Sequence, residues 1–181
     1  MITNEEIVSA LQEVLKGSEV EQFADALKRH KKNKVWICGN GGSASNSIHL
    51  ASDLMSLGFD VVCMNTNISV ITALTNDFGW DSVYVRQMTH FKPDDVFVVF
   101  SVHGGVPRPT AECGKVWSDN LVRACKCAKQ KKGLVLALLG GTGGEIKGIA
   151  DLPIVVPHED AYVVEGIHSV LAHLMCSYLK G

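Results

Sequence analysis

From Lys34 onward, short apolar runs alternate with stretches whose apolar residues recur at helical spacing. The runs Val35–Cys38, Val61–Met64, Val96–Phe100, Leu134–Leu139 and Ile154–Val156 read as strands. They are apolar throughout rather than at every second position, as parallel strands covered on both faces must be. Helical patterns lie between them and after the last, near Asp160 to Leu179. Upstream, Ile7, Leu11 and Leu15 form a stripe that stops at Gly17, with Thr3 and Glu6 spaced as a capping box, and Val20 to His30 is a second amphipathic segment. The pattern predicts one α/β domain over residues 1–181, a doubly wound parallel five-stranded sheet flanked by helices, with ligands at the carboxyl ends of the strands. The two helices within residues 1–32 need an apolar surface to cover, on this domain or on another subunit.

Composition narrows the function classes. The chain has 181 residues, 46% of them hydrophobic and 20% charged, with a net charge of −2, which suits one globular domain with a full core. Without a basic excess, nucleic acid is not expected as a partner. No apolar run reaches the ~18 residues of a membrane span, and Met-Ile-Thr-Asn-Glu-Glu lacks the basic start and apolar centre of a signal peptide, so the expected location is the cytoplasm. Six cysteines are scattered. Cys125 and Cys127 are one residue apart, which makes neither a zinc knuckle nor a CxxC redox motif, and the cysteines are expected to be reduced, mostly buried thiols. The basic cluster Lys126–Lys132 reads as a solvated helix end.

Three strand ends run into glycine turns. At the first, the apolar run stops at Gly39, Asn40-Gly41-Gly42 follows, and from Ser43 the spacing becomes helical. This is an anion site in outline, because glycines let the backbone approach a ligand while the free N–H groups and dipole of the first helical turn favour negative charge. A phosphate is the expected guest. On the helix that follows, His49 and Asp53 are four apart and share a face. The second turn, Ser101-Val102-His103-Gly104-Gly105-Val106-Pro107, makes another polar site on the same sheet edge. The third, Gly140 to Gly144, reads as a tight structural turn. Asn76-Asp77 suits a helix end as well as a ligand contact.

The whole string Gly39 to Leu54, with its Gly-Asn-Gly-Gly-Ser-Ala-Ser start and His-x-x-x-acid helix, resembles the sugar isomerase (SIS) domain family and, within it, the phosphoheptose isomerases. The likeness extends over most of the chain from Lys34. It implies that Asn40, Gly41, Gly42 and Ser43 bind substrate, that Asn76-Asp77-Phe78-Gly79 contacts the sugar, and that Ser101, Val102 and His103 belong to the phosphate turn. In the family that turn reads roughly Ser-Thr/Gly-Ser-Gly-Asn-Ser, so His103 and Val106 stand where its second and third serines do. Near the end, Glu165 and His173 match the Glu-x-x-His-x-x-x-x-His pattern of the family's last helix. Together with His49 and Asp53 they form the implied functional four, Asp53 being one methylene shorter than the family's usual Glu.

Two imidazoles and two carboxylates suit zinc or another divalent metal, and they equally suit proton transfer. The implied reaction is aldose–ketose isomerisation of a phosphosugar through an enediol, most like conversion of sedoheptulose 7-phosphate to a heptose 7-phosphate. Asp53 or Glu165 is the candidate base, Glu165 also contacting substrate. His173 is the acid/base partner, and His49 is a ligand or orienting group. Glu165 and His173 are separated by about 12 Å of helix rise, which predicts that the site is shared between subunits of a homo-oligomer. The family is typically tetrameric. A non-catalytic SIS module binding a sugar phosphate or a protein partner, such as a replication initiator, is the alternative. A nucleotide cofactor is not expected, because Gly39–Ser43 is not GxGxxG and the strand ending at Met64-Asn65 offers no ribose-binding acid.

Overall fold

The computed structural model describes residues 2–106 and 117–181. Pro107 of the second glycine turn and Cys113 lie outside the described residues. Five parallel strands, β1 (Val35–Gly39), β2 (Val61–Cys63), β3 (Val96–Ser101), β4 (Leu134–Gly140) and β5 (Leu152–Val156), form one sheet in the order β2-β1-β3-β4-β5. That order reverses direction between β1 and β3, and the crevice at their carboxyl ends is where doubly wound sheets bind ligands.

The apolar strands serve two cores. Val35 and Ile37 of β1, Val96, Val98 and Phe100 of β3, and Leu136 and Leu138 of β4 face α1 (Asn4–Val14), α2 (Glu19–Arg29), α3 (Gly42–Ser56) and α8 (Ala161–Lys180). The intervening Trp36, Cys38, Phe97, Val99, Val135, Ala137 and Leu139 face α5 (Val83–Gln87), α6 (Asp119–Gln130) and α7 (Gly144–Ile149) on the other side. Alternate residues thus point to opposite faces, and both faces are dry, which is why no polar alternation marks these strands. The N-terminal helices find their cover within this chain: α2 packs on α8, and Thr3 and Glu6 close the capping box on α1. Helix α4 (Ile68–Phe78) packs the half-buried Ile71 and Leu74 on the second core and leaves Ile68 and Phe78 exposed.

The lysine cluster is tied down locally, with Lys126 paired to Glu145 at 2.6 Å and Lys129 to Asp151 at 2.5 Å. The five described cysteines are unpaired thiols. Burial pushes Cys38 and Cys125 far above the ordinary thiol range, so both remain protonated.

One buried titratable group gives the fold a pH dependence. His168 on α8 is fully buried, its Nε2 donates to the Leu139 carbonyl at 3.1 Å, and its Nδ1 has no partner among the described residues. Burial lowers its pKa from 6.5 to about 4, against the opposing effect of that carbonyl. The unfolded chain therefore takes up a proton near pH 6.5 that the folded protein refuses, so this contribution to stability is complete above pH 6.5 and is lost as pH falls toward 4. Denaturant unfolding should show a decrease of about 3 kcal/mol between pH 7 and pH 4 from this group. His168→Leu should be less stable at pH 7, with the bond to the Leu139 carbonyl lost, yet flatter across that interval.

Candidate active site

The β1–α3 junction is held open by side chains from three other elements. Asn65 after β2 donates to the Gly39 carbonyl at 2.9 Å and accepts from the Gly39 amide at 3.1 Å. Tyr84 of α5 donates its hydroxyl to the same carbonyl at 2.7 Å and accepts from Asn65 at 2.9 Å. Its phenol is held above its usual range, chiefly by burial. Asn40 exchanges two amide hydrogen bonds, 2.9 and 3.0 Å, with Asn120 in the first turn of α6. The turn is therefore fixed before any ligand arrives, with Gly41 as the N-cap of α3 offering no side chain to cover the helix amides.

The second turn stands opposite. Ser101, buried at the end of β3, accepts from the Gly104 amide at 3.0 Å and lies 3.3 Å from the Ser118 hydroxyl. Ser118 is the N-cap of α6 and is held at φ +61°, a conformation costly for a non-glycine residue. The third glycine turn buttresses this one: the Gly104 carbonyl accepts from the Ile146 amide at 2.9 Å, and a Cβ on Gly104 would come within 2.0 Å of the Gly143 carbonyl oxygen. The two backbones touch, which only glycine allows.

Asn40, Gly41 and Ser43 from the first turn, with Ser101, Val102, His103, Ser118 and Asn120, line one cavity of about 870 Å³. Two helix N-termini, those of α3 and α6, open onto it with three serine hydroxyls, a donor set matched to a phosphate. His103 packs its ring 4.9 Å from that of Trp117, and Trp80, Asp81, Asp119, Arg123, Glu145 and Glu165 also line the cavity. Asn76 and Asp77 are exposed on the last turn of α4, hydrogen-bonded to each other at 2.9 Å, and are not among the lining residues. Ser118 and Asn120 escaped the sequence reading because residues 107–116 separate them from Ser101. The available signal was the Ser-Asp-Asn triplet before an amphipathic run, a helix-start signature.

Helices α3 and α8 lie side by side and run the same way, since Ser43 meets Glu165 at their starts and His49 meets His173 further along. The His49 and His173 Nε2 atoms are 2.8 Å apart, with rings edge to face at 79°. Asp53 sits 3.5 Å from His49. One donor atom from each of the three lies within 4.8 Å of the others, a geometry that fits a divalent metal with two imidazoles and one carboxylate, leaving room for substrate or water. The Cys176 thiol beside Asp53 is pushed up to about 11, first by burial and then by the carboxylate charge, and stays protonated.

Glu165 stands apart from this group. It is two turns before His173 on α8, and its Oε1 accepts from the Ser43 amide at 3.0 Å, at the N-terminal end of α3. The sequence set of four is thus a cluster of three, His49, Asp53 and His173, none of which is among the cavity's lining residues, plus a carboxylate that is. The meeting of His49 with His173 occurs within one chain and requires no second subunit, because α3 supplies across the helix interface what α8 cannot supply along its own axis.

Comparisons with known proteins agree with this geometry. No protein-family model matches the chain. It is similar to the phosphoheptose isomerase of Helicobacter pylori, with 31% identity covering 97% of this chain and 88% of that protein. The phosphoheptose isomerase of Bordetella avium is 33% identical, covering 95% and 85% respectively. The solved structure of phosphoheptose isomerase from Neisseria gonorrhoeae superposes with a TM-score of 0.85 at 30% identity, covering 97% of this chain and 93% of that one. The Francisella tularensis structure, at 23% identity, reaches the same TM-score and shares the fold. Alike in fold, and at least 30% identical to such enzymes over nearly its whole length, the chain belongs to the phosphoheptose isomerase family.

Proposed function

We propose that this protein isomerises sedoheptulose 7-phosphate to the corresponding aldose heptose 7-phosphate through an enediol. The observation that carries the reading is the layout along the paired helices α3 and α8, with an anion cradle at their N-terminal ends and a paired-imidazole and carboxylate cluster further along. Ser43, Ser101 and Ser118 hold the phosphate, and Trp80 and Trp117 flank the sugar. Asp53 or Glu165 removes the proton from the carbon next to the carbonyl and, from the enediol, returns it to the former carbonyl carbon. His173 carries a proton between the substrate oxygens, and His49 orients it. His49, Asp53 and His173 would hold a divalent ion, zinc first, which when bound polarises the substrate oxygens.

The imidazole end faces solvent in a single chain, with the His49 side chain 54% exposed, and isomerisation needs water excluded. Together with the exposed Ile68 and Phe78 of α4, this supports a homo-oligomer, a tetramer by family resemblance, in which a second copy closes the site. No described helix is long and apolar enough to cross a membrane. The unpaired described cysteines suit a reducing cytoplasm.

NMR of purified protein with sedoheptulose 7-phosphate should show the aldose product accumulating. Ser118→Ala should raise KM about tenfold while changing kcat less than about threefold, the signature of a contact made equally in ground and transition states. Absence of turnover with this ketose phosphate, with and without added zinc, would overturn the assignment.

A further inference from the structure

Glu165 occupies the seat the phosphate needs. Its Oε1 accepts from the Ser43 amide at 3.0 Å and lies 3.5 Å from the Ser43 hydroxyl, and a Cβ built on Gly42 would fall 2.1 Å from its Oε2. The carboxylate therefore lies directly on the first turn of α3. It arrives from α8, far away in sequence, so this is no ordinary helix cap. Among the described residues no cation pairs with Glu165, and its charge is met by the Ser43 donors and the helix dipole. A carboxylate so placed imitates an anionic ligand.

We infer that Glu165 is a built-in competitor for the substrate's phosphate, seated on the Ser43 amide and hydroxyl until the phosphate displaces it. This deepens the phosphate-cradle reading and rests on it. A phosphate dianion brings more charge and more acceptor oxygens to the same donors, so it wins the exchange while Glu165 lowers its net affinity. The exchange has a consequence for order of events. Glu165 already lines the cavity, so seating the phosphate releases a carboxylate into the space that holds the sugar. A neutral or sugar-only ligand leaves Glu165 where it is.

The test uses inorganic phosphate as the probe, with calorimetry for affinity and the Ser43 amide resonance for location. Glu165→Gln and Glu165→Ala should each bind phosphate about fivefold or more tightly than the wild type. In all three proteins phosphate should shift the Ser43 amide. Adding Gly42→Ala to Glu165→Gln should abolish the gain, because the new methyl fills the shared seat. Gly42 has no positive φ, so that change carries no backbone penalty. Equal or weaker affinity in both Glu165 variants overturns the competition while leaving the cradle intact. Binding without a Ser43 shift, or no binding in any of the proteins, overturns the cradle reading itself, and the competition with it.

Discussion

Replacing His173 with alanine should lower kcat/KM for isomerisation by about 10²- to 10⁴-fold, with the fold preserved. The size of the effect follows from position. His173 Nε2 is 2.8 Å from His49 Nε2, the ring is exposed, and its removal takes away proton transfer without opening the core. His49→Ala should fall in the same range, and the double variant should be little worse than either single one, because groups that act as a unit lose their function once. Steady-state kinetics with circular dichroism checks both parts. A His173→Ala enzyme within about tenfold of wild type would move the chemistry to Asp53 and Glu165 alone.

The largest loss of stability is expected far from the site, at Asp95→Ala. Asp95 opens β3 and is 4% exposed. Its Oδ1 accepts from the Lys34 amide at 3.1 Å, and its Oδ2 accepts from the Trp36 indole and the Lys92 amide, each at 3.0 Å. One carboxylate thus satisfies three donors where two neighbouring parallel strands begin. Alanine leaves all three without it, and a buried donor left unmatched loses about 1–3 kcal/mol. The expected decrease is about 3–4 kcal/mol by denaturant unfolding, or roughly 6–16 °C in Tm for a chain of this size. Asp95→Asn should be intermediate, since its amide nitrogen cannot accept.

The sheet and its layers were legible because apolar runs and helical spacing report burial directly. All five strand positions follow from that signal, as does the capping box at Thr3 and Glu6. The β1–α3 turn was legible for the same local reason, every part of it being contiguous from Gly39 to Asp53. What needed the structure is the information carried between elements. Ser118 joins Ser101 across residues 107–116, so nothing local ties it to the turn. Asn76 and Asp77 match a motif, yet the end of α4 turns outward, and Trp80 and Asp81 line the cavity instead. The spacing of Glu165 and His173 implied that neither could reach the other, and they do not. The partner His173 meets is on α3, which helix rise within α8 alone could not reveal.

The parallel alignment of α3 and α8 also makes the site a ruler. Ser43 and His49 are six residues apart on one rigid rod, about 9 Å of rise, and no loop between them can stretch. On the proposed reading, with the anionic tail at Ser43 and the carbonyl at the imidazoles, a sugar phosphate is measured by how many carbons separate the two. Short-chain phosphates that grip the tail end fall short of the imidazoles, so they should act as occupants of the enzyme rather than as its substrates.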